Sequence, residues 1–160
     1  LFYEGVVRDA ILRYKFLGTN AYAHRLGLIL AECVENSLDW NSIDMVSWVP
    51  LSKIRMRKRG YNQAQLLAEV VSEYLELPCG DTLIKTVNNQ SQSSTGSAAE
   101  RAKNVRGVYS VQSEELIRGK TILLIDDVVT TGSTLSECAK TLHNAGASVI
   151  YAAAVARHRD

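Results

Sequence analysis

The sequence predicts an α/β fold of three layers, with a mainly parallel central sheet covered by helices on both faces. Three observations predict it. Short β-rich apolar runs, residues 43–49, 121–125 and 148–156, alternate with segments whose apolar residues recur at helical spacing. The run 121–125 carries no charge on either face, as befits a strand covered from both sides. Two carboxylates and a glycine-centred turn follow it directly, which is the arrangement of a ligand crevice at the carboxyl end of an open sheet.

Over residues 4–16, Val7, Ala10, Ile11 and Tyr14 share one helical face, and Gly18 is a stop signal. A second helix is expected from Ala21 to about Glu35, with Leu26, Ile29, Leu30 and Cys33 as its apolar stripe. Residues 1–40 thus form the helical N-terminal part of a single domain spanning 1–160. Strand 43–49 is ended by Pro50, and the loop after it holds Leu51, Ser52 and Lys53, then Arg55, Arg57, Lys58 and Arg59, closed by Gly60 and Tyr61. Asn62, with Gln65 three residues on, caps a helix whose inner face is Leu67, Val70, Val71, Tyr74 and Leu75, and Pro78 ends it. Residues 82–87 read as a strand. The stretch 88–104 is rich in Ser, Asn and Gln and has no core stripe, the composition of a lid or a disordered connection. Residues 107–111 read as an edge strand. Beyond the central motif, Leu135, Cys138, Ala139 and Leu142 face the sheet from a helix with Gly146 at its end, and 148–156 is the last strand.

Eighteen basic against seventeen acidic side chains give a formal charge of +1, so any affinity for polyanions must be local. Cys33, Cys79 and Cys138 are odd in number and form no C-x-x-C pair, which argues against a disulfide framework or a zinc site and for buried thiols in a reducing cytoplasm. No apolar run is long enough to span a membrane. The chain begins with Leu1 rather than Met and reads as a piece of a longer protein. His24, His143 and His158 stand alone and are given no chemical role.

The chemistry concentrates in TILLIDDVVTTGSTL, residues 121–135. A turn centred on Gly132 can aim backbone N–H groups inward, the following helix adds the positive end of its dipole, and Thr130, Thr131, Ser133 and Thr134 add hydroxyl donors. A phosphate fits there. Asp126 and Asp127 would repel a phosphate but suit neutral hydroxyls or a hydrated metal, so the pair of features matches a sugar phosphate. The plainer alternative is a strand that ends in two acids, with Thr134 and Glu137 forming an ordinary capping box. The basic run 53–59 admits three readings: phosphate contact, a nucleic-acid patch, or a solvated loop.

The central segment resembles the phosphoribosyl-pyrophosphate (PRPP) motif of type I phosphoribosyltransferases. Together with VPLSKIRMRKRGYNQAQLLA (49–68) and ERAKNVRGVY (100–109), it resembles the ComF family of competence-associated phosphoribosyltransferase-like proteins, which includes the GntX group. The resemblance implies PRPP binding by Asp126, Asp127, Val128, Val129, Thr130, Thr131, Gly132, Ser133 and Thr134, with the two acids on the ribose hydroxyls. It implies a pyrophosphate loop of Leu51, Ser52 and Lys53, with Arg59 beside it, and a lid that brings Arg101, Lys103 and Asn104 to the pyrophosphate on closure, Lys103 joining the acids as a catalytic group. Magnesium would be carried in with PRPP and held through waters, with no direct protein ligand. The zinc-ribbon-like segment common at the family's N-terminus is absent from this sequence.

The activity implied is transfer of the phosphoribosyl group to an acceptor, with pyrophosphate release. Members acting on 6-oxopurines place an aspartate where this chain has Thr130, so hypoxanthine and guanine are not expected acceptors, and the nucleophile stays open. A competing reading of another class is a non-catalytic PRPP sensor or scaffold contacting single-stranded DNA or DNA-uptake proteins through the run 53–59. Self-association as a homodimer is open on either reading.

Overall fold

The computed structural model describes residues 1–17, 20–86 and 107–158. Its elements run α1 (Gly5–Leu17), α2 (Asn20–Ser37), β1 (Met45–Trp48), α3 (Lys53–Arg59), α4 (Gln63–Tyr74), β2 (Leu83–Lys85), β3 (Tyr109–Val111), β4 (Thr121–Val129), α5 (Ser133–Asn144) and β5 (Val149–Arg157). The central sheet has the order β1-β4-β5 and is parallel throughout, with Met45 opposite Ile122 and Thr121 opposite Val149. This is the expected α/β architecture.

Alternation along β4 sorts the core into two halves. Leu123 and Ile125 point to a cluster built on α1, α2 and α4, with Ile11, Leu30, Leu67 and Val71. Ile122 and Leu124 point to the opposite cluster, where Leu135, Cys138 and Leu142 of α5 meet Leu83, Val108, Tyr109 and Ile117. All four β4 side chains are fully buried, which is why the run must be apolar on both faces. Residues 82–87 and 107–111 do not extend the central sheet. Their strands pair with each other, antiparallel, Leu83 opposite Val111 and Lys85 opposite Tyr109, and this ribbon lies beside α5. A buried Ser47–Thr82 hydroxyl pair (2.7 Å) ties the start of the ribbon to β1.

Several expectations are corrected. On α2, Ile29 and Cys33 are exposed, and the buried stripe is Ala23, Leu26, Leu30, Ala31 and Val34. The LGLIL stretch offers two stripes, and Gly27 selects between them by letting Val70 of α4 approach. Tyr74 also faces outward and donates its hydroxyl to Glu35 Oε2 (3.0 Å). Of the three thiols only Cys138 is buried; Cys33 and Cys79 are exposed. The basic run is not a loop but the helix α3. Its Lys, Arg and Met residues are good helix formers, Ser52 Oγ accepts from Arg55 N (3.4 Å), and Gly60 takes the left-handed C-cap (φ 80°) that a residue with a side chain resists. Gly18 as a stop signal and the lid at 88–104 lie outside the described residues. Among the described residues, no helix is long and apolar enough to cross a membrane.

Candidate functional site

The site forms where the sheet runs out of partners on one side. β1 pairs with β4 only as far as Trp48 opposite Ile125, and Pro50 then turns the chain away. β4 does not stop with it, contrary to the expectation that the strand ends at Ile125. It continues to Val129, held on its other edge by β5, with Asp126 opposite Ala154 and Val129 opposite Arg157. The two acids therefore lie within the strand, beside the gap that β1 leaves.

The pleat gives them opposite faces. Asp126 continues the row of Ile122 and Leu124, toward α5 and the β2–β3 ribbon, and Asp127 continues the row of Leu123 and Ile125, toward α1 and α4. The electrostatics agree. Burial and then the Asp127 charge push the Tyr14 hydroxyl above its ordinary range. On the other face, burial raises Tyr109, with the charges of Cys138 and Asp126 adding to it.

A cleft at this end of the sheet is bounded by Pro50, Leu51 and Ser52 after β1, by Arg55 and Arg59 of α3, by Asn62, Gln63 and Ala64 at the start of α4, and by Lys85, Tyr109, Asp126, Asp127, Val128 and Thr134. Asn62 fixes its rim. The amide accepts from Ala64 N (3.0 Å) as N-cap and donates to Val49 O (3.0 Å), binding the end of β1 to the start of α4. The expected Asn62–Gln65 box does not form, because Gln65 Nε2 donates to Glu69 Oε1 (2.9 Å). Arg59 Nη1 donates to Gln63 Oε1 (2.8 Å) across the turn. Tyr14 donates to Gln63 O (2.5 Å), and the Tyr61 hydroxyl donates to Tyr14 O, bracing α1 against this wall.

The turn after β4 does not cap α5 in the ordinary way. Gly132 is the N-cap, left-handed at φ 73°, with no side-chain cap bond. An added Cβ there would meet open space, so backbone conformation rather than room requires glycine. Thr131 Oγ1 and Ser133 Oγ pair at 2.8 Å. The Thr134–Glu137 capping box is absent, since Thr134 lies inside the first helical turn and Glu137 Oε1 accepts from Gly107 N (2.8 Å). The plainer explanation of this stretch thus loses its main support, and the first-turn N–H groups of α5, which have no partners within the helix, stay aligned with the turn.

Among the expected site residues, Leu51, Ser52, Arg59, Asp126, Asp127, Val128 and Thr134 line the cleft. Val129, Thr130, Thr131, Gly132 and Ser133 continue from it as the turn into α5. Lys53 is exposed and outside the lining, and Arg55 occupies the wall instead. Arg101, Lys103 and Asn104 lie outside the described residues. Among the described residues, no group of three or more His, Cys, Asp and Glu side chains is placed to hold a metal ion.

Two wall residues escaped sequence reasoning. Lys85 Nζ lies 3.5 Å from the Tyr109 hydroxyl and 5.3 Å from that ring's centre. Burial and then the Arg55 charge hold Lys85 below the ordinary lysine range, with Cys138 and Asp126 acting against the shift. Thr134 is in hydrogen-bonding reach of Tyr109. Cys138, raised by burial and then by the Asp126 charge, is an inert core thiol, as its place on the helix stripe predicts. A lysine depressed in the folded chain opposes folding at neutral pH, and the opposition fades as pH rises toward the ordinary lysine range. Lys85→Met, which keeps the packing on Tyr109, should therefore stabilise the ligand-free chain at pH 7 by about 0.5 kcal/mol, a figure discounted for the solvent that reaches the amine. Urea denaturation at rising pH should show the gain shrinking.

Comparison with known proteins agrees with this geometry. Residues 61–160 match the family model described as the phosphoribosyl transferase domain. Competence protein F of Haemophilus influenzae is 36% identical over 110 residues, covering 68% of this chain and 48% of that protein. Competence protein ComFC of Bacillus subtilis is 29% identical over 144 residues, covering 90% and 56%. The chain thus spans about half the length of these relatives. Among solved structures, a glutamine PRPP amidotransferase from B. subtilis superposes with a TM-score of 0.53 at 25% identity, over 81% of this chain and 25% of that one.

Proposed function

We propose, for a chain that belongs to the ComF family of type I phosphoribosyltransferase-like proteins, that the cleft binds PRPP together with magnesium and transfers its phosphoribosyl group to an acceptor, releasing pyrophosphate. One observation carries the reading: two carboxylates at the open end of β4 run directly into a left-handed glycine turn and a helix N-terminus, facing a wall of Arg55, Arg59 and Lys85. The relatives named for competence support an associated role in DNA uptake, acting in the cytoplasm.

Asp126 and Asp127 accept hydrogen bonds from the ribose hydroxyls, one from each side of the strand. Residues Val128 to Thr134 present backbone N–H groups and hydroxyls to the 5′-phosphate. Leu51, Ser52, Lys53 and Arg59, joined by Arg101 and Lys103, take the pyrophosphate, and Arg55 and Lys85 add charge on that side of the cleft. As the glycosidic bond breaks, positive charge on the ribose ring is stabilised by the acids and negative charge on the leaving group by the cationic wall. The donor set fits a magnesium ion held through water and substrate oxygens, because the acids face opposite ways and do not chelate one ion between them. When bound, the ion neutralises pyrophosphate charge.

The test is calorimetric titration of PRPP with and without magnesium. Saturable, magnesium-dependent binding is expected, and pyrophosphate release on adding candidate acceptors then separates an enzyme from a sensor. Absence of any PRPP binding by the full chain would overturn the proposal. The sensor or scaffold reading has one observation in its favour, the outward half of the basic helix.

A further inference from the structure

The helix α3 divides the basic run that the sequence leaves ambiguous. Arg55 and Arg59, four residues apart, line the cleft, and Arg59 is anchored on Gln63. One helical face away, Ile54, Arg57 and Lys58 stand at i, i+3 and i+4, so they form a single patch on the opposite side. Ile54, within that patch, is 58% exposed. Arg57 and Lys58 are exposed as well. Among the described residues, neither cation pairs with a carboxylate. A helix of seven residues anchored by its inner face gains nothing from leaving a large apolar side chain in water beside two unpaired cations.

Charge alone would suit a polynucleotide, but its bases need aromatic platforms on which to stack. α3 contains none, and the ring of the adjacent Tyr61 packs against Tyr14 and the α1, α2 and α4 cluster. We infer that the outer face of α3 docks an acidic, amphipathic peptide segment of another protein, with carboxylates on Arg57 and Lys58 and an apolar side chain on Ile54. The complementarity uses both halves of the patch, whereas a phosphate backbone uses only one. Since Ile54, Arg57 and Lys58 lie outside the cleft lining, the inference does not depend on what the cleft binds.

Fluorescence anisotropy on the full chain tests it with three labelled probes of equal charge: a short peptide alternating Glu with Leu and Phe, a Glu/Ser peptide, and an oligothymidine. The Glu/Leu/Phe peptide should bind at least about tenfold tighter than either other probe. Ile54→Ser should erase that advantage, and Arg57→Gln/Lys58→Gln should weaken binding of all three at least about tenfold, with unfolding midpoints and magnesium-dependent PRPP binding retained. Oligothymidine binding as tight as the amphipathic peptide, with Ile54→Ser without effect, would overturn the inference and make the face a polynucleotide contact. Failure of the wild-type chain to bind the Glu/Leu/Phe peptide would overturn it equally.

Discussion

Asp126→Asn/Asp127→Asn should reduce magnesium-dependent PRPP affinity by about a hundredfold or more, while the chain stays folded. Each carboxylate offers a charge-assisted acceptor to a neutral hydroxyl, worth about 1.5–3 kcal/mol. The amide that replaces it keeps the shape and loses the charge. The single variants are more informative than the pair. Each should lose about tenfold or more in titration calorimetry, but their effects on the unliganded site should separate by face. The Asp126 charge holds Lys85 up, so Asp126→Asn should lower the Lys85 pKa further and leave Tyr14 unmoved. The Asp127 charge raises Tyr14, so Asp127→Asn should lower Tyr14 and leave Lys85 unmoved. NMR titration of Lys85 reads the contrast: a further lowered pKa in Asp126→Asn and an unmoved one in Asp127→Asn. Unchanged PRPP affinity in the double variant would remove the acids from the site, and an equal shift of Lys85 in both single variants would contradict the opposed faces.

How much of this was legible in the sequence depended on how far apart the deciding residues lie. The turn from β4 into α5 is contiguous, so its strand, its glycine and its acids were all readable. The location of the cleft followed, because a strand-to-helix connection at the carboxyl end of a parallel sheet has one place to be. In the wall opposite, Leu51, Ser52 and Arg59 were readable, but Lys85 and Tyr109 were not. Lys85 meets Tyr109 only because two three-residue strands pair across 24 positions, with a polar segment between them that has no periodicity of its own. Nothing local marks either residue. The run 53–59 failed differently: its charge density suggested a loop, although its residues are good helix formers and Ser52 and Gly60 are ordinary caps. Once it is helical, the placement of Arg55 inward and Lys53 outward follows from spacing. Asp126 and Asp127 were expected to act together at a strand end, and the added strand length to Val129, which β5 supports, is what gives them separate faces.

Gly27→Ala should destabilise the fold by about 2 kcal/mol, although alanine is the better helix former by roughly 1 kcal/mol. A Cβ at residue 27 would lie 2.6 Å from Val70 Cβ and 2.7 Å from Val70 Cγ1. Because the first of these contacts is to Cβ itself, no rotamer of Val70 relieves it, and Val70→Ala should not rescue the variant. The helices must instead move apart, loosening the packing of Leu30, Ala31 and Val34 against Leu67, Ala68 and Val71. The consequence reaches the site, since α4 begins with the residues that hold its rim: Asn62 binds Val49 O, and Gln63 receives both Arg59 and Tyr14. Urea denaturation should therefore show a lowered midpoint with unchanged slope, and PRPP affinity should fall several-fold although residue 27 is remote from the cleft. Wild-type stability in Gly27→Ala would mean that α2 and α4 do not approach as closely as described. Lowered stability with undiminished PRPP affinity would mean that the rim is set by β1 and α3 alone.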